Sequence, residues 1–169
     1  MSAPRADIPA LVVVSGPPGT GKTTLAHVLA REIPCHAVCR DELKEGMVHA
    51  HGSPGDELAM RTYALFFDVL RILVDGGVTV VAEAAFQDEL WRRGLDPLLD
   101  RVRLRIVQCV VEQELARQRV RDRGVREAHG DPWEPESFER LSLDVPTLEV
   151  DTTDGYRPSL DQIAWFAAA

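Results

Sequence analysis

The amino-acid sequence predicts an α/β fold in which a parallel sheet carries helices on both faces. Short apolar runs rich in β-branched residues alternate along the chain with segments whose apolar residues recur at helical spacing. The first apolar run leads directly into a glycine-rich loop and then into a helix. We expect one domain over residues 1–169, because the length suits a single core and no repeat, low-complexity tract or linker divides the chain.

The first part of the chain supplies two strands and two helices. Residues 10–16 are short, β-branched and end in glycine, which is typical of a strand buried on both faces. A helix over residues 22–32 follows, because apolar residues recur there at helical spacing until Pro34 stops it. Residues 35–39 are predicted as a second strand and residues 41–50 as a short helix.

The middle of the chain continues the alternation. The longest helical pattern covers residues 57–74, where the apolar residues form one face and an Asp-Gly-Gly sequence ends it. Residues 78–84 are a third buried strand, and residues 88–99 a helical stretch. Residues 103–111 first alternate between polar and apolar side chains and then become apolar, which is typical of a strand, the fourth. Residues 112–123 are predicted to form a helix.

The last part supplies the remaining strand and helix. Residues 124–135 are polar and indicate a loop or lid, residues 146–150 are the fifth strand, and a closing helix starts at residue 159. The predicted architecture is a three-layer sandwich with a five-stranded parallel sheet.

The loop after the first strand reads GPPGTGKT, which is the Walker A pattern of a phosphate-binding loop. Its glycines let backbone N–H groups point at phosphate oxygens, and the helix N-terminus adds a favourable dipole. Lys22 is suited to the β- and γ-phosphates, the Thr23 hydroxyl to Mg²⁺, and Thr24 to a further phosphate oxygen. The candidate ATP-binding residues of the loop are Gly16, Pro17, Pro18, Gly19, Thr20, Gly21, Lys22, Thr23 and Thr24. The motif predicts nucleotide binding without choosing among a motor, a switch and a kinase.

The segment RDELK favours a kinase. Asp41 comes just after the second strand, at the sheet edge where ligands bind in such folds, and Lys44 shares its helix face. A carboxylate there is suited to accept the proton of an acceptor hydroxyl, while a cation one turn later steadies the transferring phosphoryl group. The alternative is that Asp41 only caps the helix and Lys44 is solvated.

A second carboxylate, Glu83, ends the third strand. Its position suits a Walker-B-like group that holds Mg²⁺ through water, or a group that orients the acceptor. The alternative is a carboxylate that caps the next helix. If Asp41 is not the base, Glu83 is the next candidate.

The arginine-rich segment after the fourth strand places Arg117 and Arg121 four residues apart on one helix face. Like charges at that spacing repel, so the pair needs acidic partners or an anionic ligand. The functional interpretation is a lid whose arginines close over ATP and stabilise the moving phosphoryl group. The alternative is a solvated face neutralised by neighbouring acidic residues.

These pieces together resemble the small P-loop kinases, in particular the AAA-type group that includes polynucleotide 5′-kinases, zeta-toxin-type kinases and antibiotic-phosphorylating enzymes. In polynucleotide kinases the aspartate of an Asp-x-x-Arg motif activates the acceptor hydroxyl, and the resemblance gives this role to Asp41. Lys44 stands where the arginine would be, and a lysine cannot form the bidentate contact of an arginine. The resemblance also implies a lid over about residues 117–135, in which Arg117 and Arg121, ahead of Arg123 and Arg126, contact ATP. It further implies an adenine pocket bordered by residues 151–154. For a kinase of this kind we predict the sheet order 2-3-1-4-5.

The composition of the chain narrows the class of acceptor. The chain has 19 basic and 27 acidic residues, a net charge of −8, which disfavours a nucleic-acid partner. No run approaches the roughly 20 apolar residues that span a bilayer, and the N-terminus lacks the apolar core of a signal peptide. The three cysteines are expected to be reduced. We therefore expect a cytoplasmic protein without membrane contact. The sequence does not indicate an oligomeric state.

The functional prediction is therefore an ATP- and Mg²⁺-dependent kinase that phosphorylates a hydroxyl of a nucleoside, sugar or antibiotic. Its acceptor pocket is expected between residues 47 and 63 and near Phe86. A guanine-reading Asn-Lys-x-Asp motif is absent from the sequence, which argues against a switch, and a second domain that a motor would move is not indicated. The alternatives are a polynucleotide 5′-hydroxyl kinase and, in another class, a nucleotide-binding regulatory module without an acceptor.

Overall fold

The computed structural model describes residues 8–51, 56–123 and 138–169. Five strands form one parallel sheet in the order β2-β3-β1-β4-β5, which confirms the predicted topology. The strands are β1 (Ala10–Ser15), β2 (His36–Cys39), β3 (Val80–Glu83), β4 (Arg103–Val110) and β5 (Thr147–Asp151). The α-helices are α1 (Lys22–Glu32), α2 (Arg40–His51), α3 (Asp56–Asp75), α4 (Asp88–Leu95), α5 (Gln113–Asp122) and α6 (Leu160–Ala168).

Helices cover both faces of the sheet because the central strands are apolar on both. In β1, Leu11 and Val13 belong to a core shared with residues of α3 and α4, whereas Val12 and Val14 belong to a core shared with residues of α1 and α6. All six residues of β1 are buried. The period of two along a strand sends alternate side chains to opposite faces, so an uninterrupted apolar run fills two cores.

The register of the sheet brings the ends of three strands together. Val14 of β1 lies beside Glu83 of β3, and Cys39 of β2 lies beside the same Glu83. The Walker A loop leaves β1 one residue after Ser15, and α2 starts directly after Cys39. The carboxyl ends of parallel strands share one edge of the sheet, so the phosphate loop, Glu83 and the first turn of α2 are neighbours.

One predicted helix is divided in the structure. The stretch expected as a helix over residues 88–99 is α4 followed by a 3₁₀ helix over Asp96–Arg101. Pro97 lies in the first turn of the 3₁₀ helix, where its missing N–H costs nothing, whereas inside a continuous α-helix it would break a hydrogen bond.

Two predicted features fall partly or wholly outside the described residues. The lid expected over residues 117–135 is described only as far as residue 123, and Arg126 lies outside. The acceptor region expected over residues 47–63 is interrupted at residues 52–55. Within the described part of the chain, no helix combines the length and the apolar character that crossing a bilayer requires.

Candidate active site

The Walker A loop adopts a tight turn that depends on its glycines. Gly19 and Gly21 have φ angles of 82° and 72°, a region that glycine enters without steric cost. A Cβ atom added at Gly19 would lie 2.3 Å from the carbonyl oxygen of Ala116, so α5 contacts the loop there too closely for any side chain. The Thr20 hydroxyl donates to the carbonyl oxygen of Pro17 at 2.8 Å and closes the turn.

Lys22 begins α1 and turns back over the loop. Its ammonium group donates to the carbonyl oxygen of Pro17 at 3.5 Å and lies 4.0 Å from Oε1 of Glu83. Only 9% of its side chain is exposed. A charge placed over the phosphate cradle with little solvent around it is suited to the β- and γ-phosphates of a nucleotide.

Thr23 and Glu83 bring two side-chain oxygen atoms next to each other. The Thr23 hydroxyl donates to Oε2 of Glu83 at 3.2 Å. Two oxygens that are neighbours in an octahedral Mg²⁺ shell lie roughly 3 Å apart, given Mg–O distances of about 2.0–2.1 Å. Oε1 of Glu83 is buried and has no hydrogen-bond partner among the described residues, which leaves a lone pair free for a metal-bound water. The residues present therefore fit a Mg²⁺ ion.

The environment of Glu83 disfavours its negative charge. Its side chain is 1% exposed. Burial raises the pKa of this carboxyl most strongly and the charge of Asp41 raises it further, while Lys22 and the Thr23 hydrogen bond oppose the shift. A bound cation would supply the charge compensation that the protein alone does not complete.

Asp41 lies in the first turn of α2, one residue after Arg40. Its side chain is 38% exposed and Oδ1 is 3.6 Å from the guanidinium of Arg40. Asp41 follows Cys39, the residue paired with Glu83 in the sheet, by two positions, so it lies at the same edge of the sheet as Glu83. Lys44 is half-buried on the next turn; burial lowers its pKa, and the positive charge of Arg40 lowers it further.

Arg40 is a site residue that the sequence reasoning did not single out. Its guanidinium carbon is 5.6 Å from the ring centroid of Trp91, and Nη2 donates to the carbonyl oxygen of Ala59 at 3.5 Å. These contacts hold Arg40 beside Asp41. The adjacent charges in the Arg-Asp pair were visible in the sequence, but the aromatic ring comes from α4, far along the chain.

The arginines of α5 divide into two sets. Arg117 and Arg121 are exposed, and each approaches Glu114, at 3.8 Å and 3.1 Å respectively. Arg119 instead turns towards the phosphate loop, where it donates to the carbonyl oxygen of Gly19 at 3.4 Å. It also donates to the carbonyl oxygens of Thr152 and Thr153, at 3.0 Å and 3.2 Å.

Arg119 therefore joins three segments that sequence reasoning treated separately. Arg119 was not among the arginines predicted for the site. The sequence held no signal for its contact, because the rotation of α5 that brings Ala116 and Arg119 to the loop is set by tertiary packing. The ATP contacts expected of Arg117 and Arg121 remain predictions.

The segment after β5 closes the other side of the loop. The Thr152 hydroxyl donates to the carbonyl oxygen of Thr20 at 2.7 Å, and Oδ1 of Asp151 accepts from the N–H of Thr153 at 2.8 Å. Thr152, within the segment 151–154 that is expected to border an adenine, therefore contacts the phosphate loop directly. The contact of this segment with an adenine base remains a prediction.

On the acceptor side, Phe86 lies inside an aromatic cluster rather than at the surface. Its side chain is fully buried, with its ring centroid 4.7 Å from that of Trp91 and 5.9 Å from that of Phe66. The cluster forms a rigid floor under Arg40. A pocket near Phe86 would therefore rest on the aromatic cluster, without direct contact between a ligand and the buried Phe86 ring.

Comparison with known proteins agrees with this geometry. A family model described as an AAA domain matches residues 11–142. No curated protein matches the sequence.

Three solved structures share the fold. A protein described as a candidate kinase, from Chloroflexus aurantiacus j-10-fl, superposes with a TM-score of 0.83 at 24% identity, over 96% of this chain and 98% of that one. The APS kinase of Mycobacterium tuberculosis, solved with AMPPNP and APS, has a TM-score of 0.65 at 17% identity, over 93% and 94%. A gluconokinase from Sinorhizobium meliloti 1021 has a TM-score of 0.61 at 18% identity, over 95% and 90%. At these identities the likeness shows the fold.

Proposed function

Because the chain belongs to the AAA domain family and has the fold of the small P-loop kinases, we propose that it transfers the γ-phosphoryl group of ATP to a hydroxyl group of a small molecule. The acceptor is a nucleoside, a sugar or an antibiotic. The observation that carries the proposal is the position of Asp41. Its partly exposed carboxylate lies in the first turn of α2, which starts directly after the strand residue paired with Glu83, at the carboxyl edge of the sheet.

The donor half of the site consists of the Walker A loop. Backbone N–H groups of the loop and the Lys22 ammonium hold the β- and γ-phosphates. Thr23 and Glu83 hold Mg²⁺, which, when bound, neutralises charge on the phosphate oxygens. Arg117 and Arg121 add positive charge when the lid segment closes over ATP.

The acceptor half centres on Asp41. Its carboxylate takes the proton from the acceptor hydroxyl as the oxygen attacks the γ-phosphorus; the bond to the β-phosphate oxygen breaks and ADP leaves. Lys44 lies one turn further along α2 and steadies the phosphoryl group in transit. Exposure favours Asp41 over Glu83 as the base, because an acceptor reaches a half-exposed carboxylate more readily than one that is 1% exposed.

The test is ADP release measured across a panel of hydroxylated metabolites, antibiotics and 5′-hydroxyl oligonucleotides. We expect a small molecule to stimulate turnover. Stimulation by the oligonucleotides alone would replace the proposal with a polynucleotide kinase. Stable ATP binding with no stimulation by any compound would replace it with a nucleotide-binding regulatory module.

The variant Asp41→Asn tests the assigned base. It should bind ATP normally and lose about 100- to 10,000-fold in kcat, the range expected for removal of a general base. Asp100→Asn, which changes an exposed aspartate in the 3₁₀ helix, is the matched control and should leave turnover unchanged. Lys22→Ala should weaken both ATP binding and turnover. Near-normal kcat in Asp41→Asn would remove Asp41 as the base.

A further inference from the structure

Three metal-binding side chains from three elements converge beside the phosphate loop. They are His27 of α1, Cys39 at the end of β2 and Glu42 in the first turn of α2. Nε2 of His27 lies 2.7 Å from Oε1 of Glu42 and 3.6 Å from Sγ of Cys39. The three ligand atoms all lie within 4.8 Å of one another. We infer that this His27–Cys39–Glu42 cluster binds a thiophilic divalent cation, of which Zn²⁺ is the type, at a site separate from the Mg²⁺ site of Thr23 and Glu83.

The distances suit tetrahedral coordination. With a Zn–S distance of about 2.3 Å and a Zn–N distance of about 2.0–2.1 Å, the sulfur and nitrogen of a tetrahedral site lie roughly 3.6 Å apart. The observed separation between Cys39 Sγ and His27 Nε2 is 3.6 Å. The nitrogen and oxygen ligands need roughly 3.3 Å on the same geometry, so Glu42 must withdraw by a few tenths of an ångström. Its side chain is 51% exposed and free to do so.

The donor set distinguishes this cluster from the magnesium site. A thiolate and an imidazole nitrogen select zinc-like cations, whereas Mg²⁺ prefers oxygen ligands such as those of Thr23 and Glu83. Three protein ligands leave a fourth position for water. A cation enters from the solvent side, because the side chain of His27 is 41% exposed while Cys39 at the base of the cluster is 2% exposed.

The surrounding charge favours a cation. Burial raises the pKa of the Cys39 thiol well above its usual range, and the carboxylates of Glu83, Glu42 and Asp41 raise it further. The same negative potential attracts a divalent cation. On binding, the S–H bond breaks, a sulfur–metal bond forms and the proton passes to solvent.

Occupancy would also affect the site proposed above. Glu42 follows Asp41 in the first turn of α2, and Cys39 lies beside Glu83 in the sheet. A cation at the cluster ties the first turn of α2 to α1 and restricts the movement of Asp41, which we expect to slow phosphoryl transfer. This consequence rests on the proposed function, whereas binding of the cation does not.

Binding is tested with Co²⁺ as a spectroscopic probe. Nucleotide-free protein with reduced thiols is titrated with Co²⁺ in excess Mg²⁺, and absorption is followed in the near ultraviolet and visible. We expect one equivalent of Co²⁺ to give a thiolate-to-cobalt charge-transfer band and the visible bands of a tetrahedral site. One equivalent of Zn²⁺ should displace the Co²⁺ and remove both the charge-transfer band and the visible bands.

Variants assign the ligands. Cys39→Ser should abolish the charge-transfer band, and His27→Ala and Glu42→Gln should each weaken binding at least about tenfold. Cys35→Ser is the matched control, since Cys35 is a free thiol four residues away whose sulfur donates to the carbonyl of His36. Each variant is first shown to be folded by its far-ultraviolet circular dichroism.

The proposal is overturned if wild-type protein gives no thiolate band, or if the band survives Cys39→Ser. It is also overturned if the band disappears in Cys35→Ser. If Cys39→Ser does not fold, the double variant His27→Ala/Glu42→Gln, which changes two exposed side chains, decides the question through the same titration. Failure to find an acceptor would remove the expected Zn²⁺ inhibition and leave the spectroscopic result unaffected.

Discussion

At the scale of single residues, Glu83 shows a conflict between stability and function. Its carboxylate is buried beside Lys22 and Thr23, and the net effect of this environment raises its pKa. A raised pKa in the folded state means that ionisation at neutral pH costs stability, about 1.4 kcal/mol for each pKa unit. The ionised form is the one that would hold the proposed Mg²⁺ ion.

Replacement of Glu83 by glutamine should therefore stabilise the protein without nucleotide or metal. The folded pKa lies above the unfolded value of 4.5, so the penalty is absent below pH 4.5, grows as the pH rises and is complete above the folded pKa. The Tm of Glu83→Gln should exceed that of wild type at neutral pH and match it in acid. Scanning calorimetry across this pH range measures the difference.

The same variant should lose the extra stabilisation that Mg²⁺ with ATP gives to the wild-type protein. Glu32→Gln changes an exposed glutamate at the end of α1 and is the control for removing a negative charge. A Tm of Glu83→Gln below wild type at neutral pH would show that the contacts of Glu83 with Lys22 and Thr23 outweigh its desolvation.

At the scale of elements, α5 carries two kinds of arginine. Arg119 binds three backbone carbonyl oxygens, of Gly19, Thr152 and Thr153, and so holds the phosphate loop against the segment after β5. Arg117 and Arg121 lie on the exposed side with Glu114. One face of α5 therefore supports the loop structurally, and the other carries the arginines for which we propose contacts with ATP.

Mutations on the two faces of α5 should have different effects on stability and on activity. Arg119→Ala removes charged hydrogen bonds to carbonyl groups and should lower the free energy of unfolding by about 1.5–3 kcal/mol. Arg117→Ala and Arg121→Ala break exposed ion pairs, which should cost less than about 1 kcal/mol while lowering kcat. Urea unfolding and steady-state kinetics measure the two effects. A large loss of stability in Arg117→Ala with none in Arg119→Ala would contradict this division.

Two helical glycines differ in what surrounds them. A Cβ at Gly94 in α4 would lie 2.2 Å from the Phe67 ring, whereas a Cβ at Gly46 in α2 would meet no described atom within 4 Å. Gly46→Ala should stabilise the protein by about 0.5–1 kcal/mol through helix propensity. Gly94→Ala gains the same propensity but should be net destabilising, because Phe67 must leave the aromatic cluster. Urea unfolding measures both changes, and a stabilised Gly94→Ala would contradict the close packing.

At the scale of the whole molecule, net charge bears on the acceptor. A chain with 27 acidic and 19 basic residues repels a polyanion. We expect a labelled single-stranded oligonucleotide to bind weakly in fluorescence anisotropy, with little change between about 50 and 200 mM salt. Tight binding with a steep salt dependence would favour the polynucleotide alternative.

Much of the fold could be predicted from local patterns. The parallel sheet with helices on both faces followed from the alternation of strands and helices, and the phosphate loop from eight consecutive residues whose chemistry is local. The break after Leu95 was missed because periodicity does not distinguish an α-helix from a 3₁₀ helix that continues from it. The proline that marks the break was nevertheless visible.

The sequence by itself determined the α/β architecture, the nucleotide loop and the family, because these depend on periodicity and on contiguous residues. Only the tertiary structure decided which distant side chains meet. It placed Arg119, rather than its neighbours, on the loop, set Trp91 beside Arg40, and brought His27 to Cys39 and Glu42. The physical reason is register and helix rotation: a shift of one residue turns a side chain to the other face, and the whole core fixes that choice.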